Sequence, residues 1–179
     1  MTLLRWKHGY LSNASVIQKE SVMEFEERLR DRQWSIKDGC SVAKLLDLLS
    51  TKTVFLAVRE SLFGTTRFED FVERIGTSAP AVSRALKQLE AAELMVRVPY
   101  QEPGKRARDE YRLTEAGEDL LPVYLAMSQW GDKHLQKGGR GPLCFVDRES
   151  GNRVGVIVTD DPNAATVSAG DIEIRLNRS

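Results

Sequence analysis

Apolar residues recur at helical spacing through most of the first two thirds of the chain, then fall into short β-like runs. In residues 13–34, Val16, Val22, Met23, Phe25 and Leu29 are scattered among charges, which predicts an amphipathic helix with an imperfect stripe. Such a helix reads as an arm packing on a partner subunit or as a frayed extension. A helix is expected from residue 41, with Val42, Leu45, Leu46 and Leu49 at its apolar positions. Another runs from residue 51 or 52 to 61, carrying Val54, Phe55, Leu56, Val58 and Leu62, and Gly64 stops it. The most informative stretch is 65–114. A short helix (67–75) turns at Gly76-Thr77 into a second helix (78–92), with Ser78 placed to cap it. Pro80 sits in its first turn, where a missing N–H costs little. A β-like run (95–100), a loop holding Pro103 and Gly104, and a second β-like run (110–113) follow. Helix, tight turn, helix and hairpin in that order predict a winged helix-turn-helix.

Thr114 is placed to cap a further helix, whose apolar residues are Leu120, Leu121, Tyr124, Leu125, Met127 and Trp130 and which fades near Gly138. Pro122 is expected to bend it near its first turn rather than end it. So apolar a helix exceeds what one small core requires, and the surplus suits a subunit interface. Tyr124 and Trp130 fit that packing role, with the lining of an effector pocket as the other reading. Residues 135–142 are a linker by composition. Beyond it, 143–146, 154–159 and 171–176 each look like strands, with 147–152 a hairpin loop turned by Ser150-Gly151-Asn152 and 160–170 a longer polar loop. The expected fold class is α+β, mainly α: a winged helix-turn-helix core with an N-terminal helical arm and a small C-terminal antiparallel β tail. The expected division is 1–39 (partly helical arm), 40–137 (DNA-binding domain with dimerisation helices) and 143–179 (β-rich tail).

The faces of the 78–92 helix suggest its chemistry. At about 100° per residue, Val82, Leu86 and Leu89 form a core stripe, while Pro80, Arg84 and Lys87 lie opposite with Ser83 on the shoulder. Small residues, a hydroxyl and two cations on an outer face allow close approach to a DNA major groove. Arg84 suits a bidentate contact to guanine and Lys87 a phosphate, with solvated surface charge as the bland alternative. Lys105, Arg106 and Arg108 cluster at the expected hairpin tip, where strands need no such charge. The expected DNA-binding set is Ser78, Ala79, Pro80, Ser83, Arg84, Lys87, Lys105, Arg106 and Arg108.

Composition narrows the alternatives. The chain has 179 residues, 41% hydrophobic and 29% charged, with a formal net charge of zero, so any nucleic-acid contact must come from a local patch. No run is long and apolar enough for a transmembrane helix, and the first residues lack a secretory pattern. Two cysteines, Cys40 and Cys144, make no disulfide framework, so a cytoplasmic setting is expected, with Cys144 in the core. Catalysis has little support: His8 and His134 stand in no metal-ligand spacing, and no nucleophile elbow, phosphate loop or dinucleotide fingerprint occurs. Neither cofactor nor metal is expected. Glu69, Asp70 and Glu73 read as a solvated acidic face.

Several motifs stand together in one order. They are Cys40, the element Leu62-Phe63-Gly64-Thr65-Thr66-Arg67-Phe68, Leu86 to Glu90, Tyr111-Arg112-Leu113-Thr114 through Gly117, the pair Leu121-Pro122 and the pair Trp130-Gly131. Over residues 40–135 the chain resembles the HxlR family of bacterial winged-helix regulators, related to the MarR type. The resemblance implies a homodimeric transcription regulator binding double-stranded DNA, its dimer built from N- and C-terminal helices. Some members sense oxidants or electrophiles at a cysteine placed like Cys40, so a redox role for Cys40 stands beside a structural one, as does a small-molecule effector. Departures are Lys52-Thr53-Val54 where many members have Lys-Trp-Thr, and Ala85 where the recognition helix often carries arginine. The expected function is a homodimer, a repressor on a pseudo-palindromic operator. The alternative is a winged-helix assembly module without specific DNA binding.

Overall fold

A computed structural model describes residues 23–31, 33–36 and 39–177, which fall into two compact units, 1–40 and 41–179. In the first unit, the helix expected over 13–34 lies partly outside the described residues. From Met23 onward it is replaced by a single 3-10 turn, Glu27–Leu29. With Phe25 and Leu29 isolated among charges, no stripe is available to be buried, and a short helix without one is marginal in water. Instead Trp34 Nε1 donates to the Leu29 carbonyl at 2.9 Å, and its ring meets Phe25 edge-on at 5.5 Å.

The second unit opens with α1 (Ser41–Leu48) and α2 (Lys52–Leu62). The Thr51 hydroxyl caps α2 by accepting from the Val54 N–H at 3.3 Å. Of the residues expected on the α1 stripe, Leu45 and Leu49 pack on the core together with Leu48, whereas Val42 and Leu46 are 67% and 65% exposed. Gly64 ends α2 in the left-handed region (φ +88°). The following turn is tied down: the Thr65 N–H donates to the Glu60 carbonyl at 2.9 Å and Arg74 Nη1 to Thr65 Oγ1 at 2.6 Å. The buried Glu60 carboxylate pairs with Arg59 at 2.5 Å. Then come α3 (Phe68–Ile75), α4 (Ala79–Ala91), and strands β1 (Met95–Tyr100) and β2 (Arg108–Leu113), which pair antiparallel from Met95↔Leu113 to Tyr100↔Arg108. The core gathers Val54, Val58, Phe71, Val82, Leu86 and Leu89, all at 1% exposure or less. This is a winged helix-turn-helix.

The helix expected after Thr114 is two helices, α5 (Glu115–Glu118) and α6 (Leu121–Leu135). Pro122 sits in the first turn of α6 instead of bending a continuous helix. Its ring and missing N–H are tolerated there and nowhere further in. The half-buried Tyr124 ring packs within the chain against Phe55, Phe63 and Phe145. Burial raises its phenol pKa. Phe145 belongs to β3 (Leu143–Asp147), which pairs antiparallel with β4 (Ile172–Leu176), so the tail leans on α2 and α6 through these rings. Cys144 is half-buried in β3. The third expected strand, 154–159, is not one. Arg153 bridges Val146 and the Val154 N–H donates to the Phe145 carbonyl of β3 at 2.9 Å, but from Val156 onward the chain follows the Gln129 side chain of α6 rather than a neighbouring strand.

Candidate nucleic-acid interface

Gly76 makes the turn between α3 and α4. It adopts φ +68° and its N–H donates to the Val72 carbonyl at 3.2 Å, a left-handed cap that favours glycine. Ser78 occupies the N-cap position of α4, but its side chain makes no capping bond, contrary to its expected role. Buried Val82, Ala85, Leu86 and Leu89 hold one face of α4 against the core. Ser78, Ala79, Pro80, Arg84 and Lys87 are exposed, and Ser83 is half-buried. Ala85 is only 3% exposed, so an arginine there would be a buried charge. Arg84 is therefore the arginine of this stretch that reaches the outer face. Sequence reasoning missed Gln88, which reaches back from α4 to donate to the Leu48 carbonyl at 2.6 Å and fixes the helix against the end of α1.

The hairpin is anchored at its base and charged at its tip. The Tyr111 N–H donates to the Thr66 carbonyl at 2.8 Å, and the Tyr111 ring meets Phe71 edge-on at 6.2 Å. Arg97 pairs with Glu90 of α4 at 2.9 Å and lies over the Tyr111 ring at 5.6 Å. At the tip, Lys105 pairs with Glu102 at 2.5 Å, and the other oxygen of Glu102 pairs with Arg67 at 2.7 Å. Arg67 also stacks on Tyr100, 4.9 Å from the ring centre. Lys105, followed by Arg67, holds the Glu102 carboxyl below the usual carboxylate range, and Glu102 in turn raises Arg67. Arg108 is not at the tip. It is the first residue of β2, paired with Glu69 of α3 at 3.0 Å, so the acidic face of α3 is partly engaged rather than merely solvated. Among the described residues Arg106 makes no ion pair. These groups line a cleft of about 220 Å³ between the wing and the start of α3. Arg67 was legible as the lone charge in Leu62 to Phe68, but nothing in the sequence pairs it with Glu102.

The HxlR-like helix-turn-helix family model matches residues 48–138, just over half of the chain. The chain belongs to that family. Among relatives, the uncharacterized HTH-type transcriptional regulator Rv3095 of Mycobacterium tuberculosis is 37% identical over 106 residues, 59% of this chain and 66% of that protein. The chain thus spans slightly less than two thirds of the length of this mycobacterial relative. YybR of Bacillus subtilis, also named an HTH-type transcriptional regulator, is 32% identical over 55% of this chain and 78% of that one. In structure, the HxlR-like chain is similar to PA1607, described as a candidate transcription factor, with a TM-score of 0.62 and 29% identity over 80% of this chain and 98% of that one. These relatives are named for transcription, not catalysis. Among the described residues no helix is long and apolar enough to cross a membrane, and no three His, Cys, Asp or Glu side chains are grouped to hold a metal ion.

Proposed function

We propose that this HxlR-like chain is a cytoplasmic, homodimeric, sequence-specific DNA-binding regulator that represses from a pseudo-palindromic operator. One observation carries the reading: α4 exposes Ala79, Pro80, Arg84 and Lys87 opposite its buried face, beside a hairpin that presents an unpaired Arg106. Small residues at the helix start allow close approach, Ser78 has a hydroxyl uncommitted to capping, and Ser83 lies beside Arg84. Arg84 reads a guanine and Lys87 takes a phosphate. Lys105, Arg106 and Arg108 grip the backbone from the wing. Two copies present two α4 helices to successive major grooves about 34 Å apart. Exposed Val42 and Leu46 on α1, with Met127, Trp130 and Leu135 on α6, supply apolar surface for a partner subunit.

An effector, small molecule or oxidant, is part of the proposal. Cys40, half-buried immediately before α1, is where an oxidant would act. Release of DNA by peroxide or a quinone that persists in Cys40→Ser removes that role.

The deciding experiment is an anisotropy titration against DNA from beside the protein's own gene, at two salt concentrations and with scrambled competitor. Competitor-resistant binding that weakens steeply with salt is expected. The pairing of Lys105 and Arg108 with carboxylates favours a second reading, an assembly module, because it leaves one of the three wing cations, Arg106, uncompensated. Binding that stays weak at low salt, both there and in a random-library selection, selects that reading instead.

A further inference from the structure

Residues 154–168 contain no helix and no strand, and a structureless loop of that length in a compact unit is usually a binding segment or a linker. This one is tied down near both ends. The Val154 N–H donates to the Phe145 carbonyl at 2.9 Å, and Val156 donates to Gln129 Oε1 of α6 at 2.7 Å and accepts from Gln129 Nε2 at 3.3 Å. A Cβ on Gly155 would come within 2.7 Å of the Gln129 amide, so glycine is what lets the segment lie against α6. Past Ser168, the Asp171 carbonyl accepts from the Arg148 N–H at 2.8 Å. Asn152, Val154 and Val156 alternate onto one side of the extended chain. With Leu121 and Leu125 of α6, and Val167 and Ile172 of the tail, they line an open cavity of about 620 Å³. Close-packed interiors hold voids little larger than a water molecule, and a concave, mostly apolar space of this size is that of a small-molecule site.

The lining selects the ligand. Its apolar walls are aliphatic, with no aromatic ring among the described residues. Two charged residues line it, and both side chains are committed within the chain. Asp147 Oδ1 accepts from the Ser150 N–H at 2.6 Å, and Arg153 Nη2 donates to Asn177 Oδ1 at 2.6 Å. Asn177 is itself locked, donating to the Gly141 and Leu143 carbonyls at 2.6 and 3.0 Å. A charged ligand would therefore lose water without gaining a free counter-charge. The uncommitted groups are neutral: among the described residues the Asn152 carboxamide and the Thr166 hydroxyl make no hydrogen bond. We propose that this cavity is the effector site and that its ligand is an uncharged aliphatic molecule with a hydroxyl, carbonyl or amide at one end, held by Asn152. This rests on the effector part of the proposed function and gives it a place and a chemistry. The tail lies beyond residue 138, where the family match ends, so the site belongs to this tail rather than to the helix-turn-helix. Leu121 and Leu125 stand in the first turns of α6, the helix proposed to meet a partner subunit through Met127, Trp130 and Leu135. A molecule seated between tail and α6 favours the arrangement of that helix that fits it best, and so the spacing of the two α4 helices.

Methyl NMR on the full chain, titrated in turn with octan-1-ol, octanoate and octylammonium, tests the site. Octanol is expected to shift the methyls of Leu121, Leu125, Val154 and Val167 saturably and to bind about tenfold or more tighter than either charged analogue. Asn152→Ala should weaken octanol about three- to tenfold, the loss of one neutral hydrogen bond, with the remaining spectrum unchanged because Asn152 is exposed. Val167→Trp, which fills the space, should abolish the shifts. In the anisotropy assay, saturating octanol is expected to weaken DNA binding about fivefold or more in the wild type and not in Val167→Trp. Equal affinity for the three probes, or shifts that spare these four residues, overturns the proposal. Saturable binding that leaves DNA affinity unchanged overturns the effector role of this cavity and leaves the regulator reading standing. A protein that binds no DNA with or without octanol overturns that reading and the effector role together.

Discussion

Single residues in the Tyr111 to Gly117 motif show what such a signature is for. The Thr114 hydroxyl accepts from the Gly117 N–H at 3.2 Å and donates to the Glu93 carbonyl at 2.7 Å, so one side chain starts α5 and closes the base of the wing. Gly117 is needed for space: a Cβ there would run into the Leu94 carbonyl and within 2.9 Å of Leu113. Gly117→Ala is expected to lower stability by about 1–3 kcal/mol, the usual cost of overpacking, read as a drop in the urea midpoint at constant slope. Glu102 offers a second test. Its pKa is depressed by Lys105 and then Arg67, so the order it lends the wing holds above the ordinary carboxylate range and is lost as pH falls through its own lower value. An NMR carboxyl titration should place Glu102 below a free glutamate, and Lys105→Met should move it back up.

At the scale of elements, the four helices and the hairpin of the winged core were legible because each has a period and a punctuation mark: Thr51, Gly64, Gly76, Pro80 and Thr114 stand at or beside the element boundaries. Two kinds of feature were not legible. Residues 24–31 bury Phe25 against Trp34 instead of along a helical stripe, and 154–159 meet β3 only at Val154 before turning to the Gln129 side chain; in both, tertiary partners override local pattern. The ion pairs of the wing also escaped, since Glu69 and Arg108 are far apart in sequence and meet only once β2 passes α3. That pair predicts a gain of binding. Glu69→Gln should free Arg108 and tighten binding to any duplex up to about fivefold, the ceiling of an exposed ion pair, measured by anisotropy on specific and scrambled DNA. On α4 and the wing the two proposed roles separate cleanly. Arg84→Ala should relax preference at one base pair per half-site, and Arg106→Ala should weaken all sequences alike and flatten the salt slope by about 1. A sequence preference altered by Arg106→Ala without a salt effect contradicts its assignment to phosphate.

For the molecule as a whole, zero formal net charge and a wing whose cations are shared with Glu102 and Glu69 belong together. A regulator has to find its operator among roughly 10⁶–10⁹ competing positions, and most of its time is lost where phosphates alone hold it. In the proposed complex, carboxylates set against Lys105 and Arg108 would take little from a seated protein, whose α4 makes its own contacts, but would loosen every accidental landing. On the proposed function the acidic side of the wing would therefore shorten the search: a copy freed sooner from the wrong stretch of genome would reach the right one sooner.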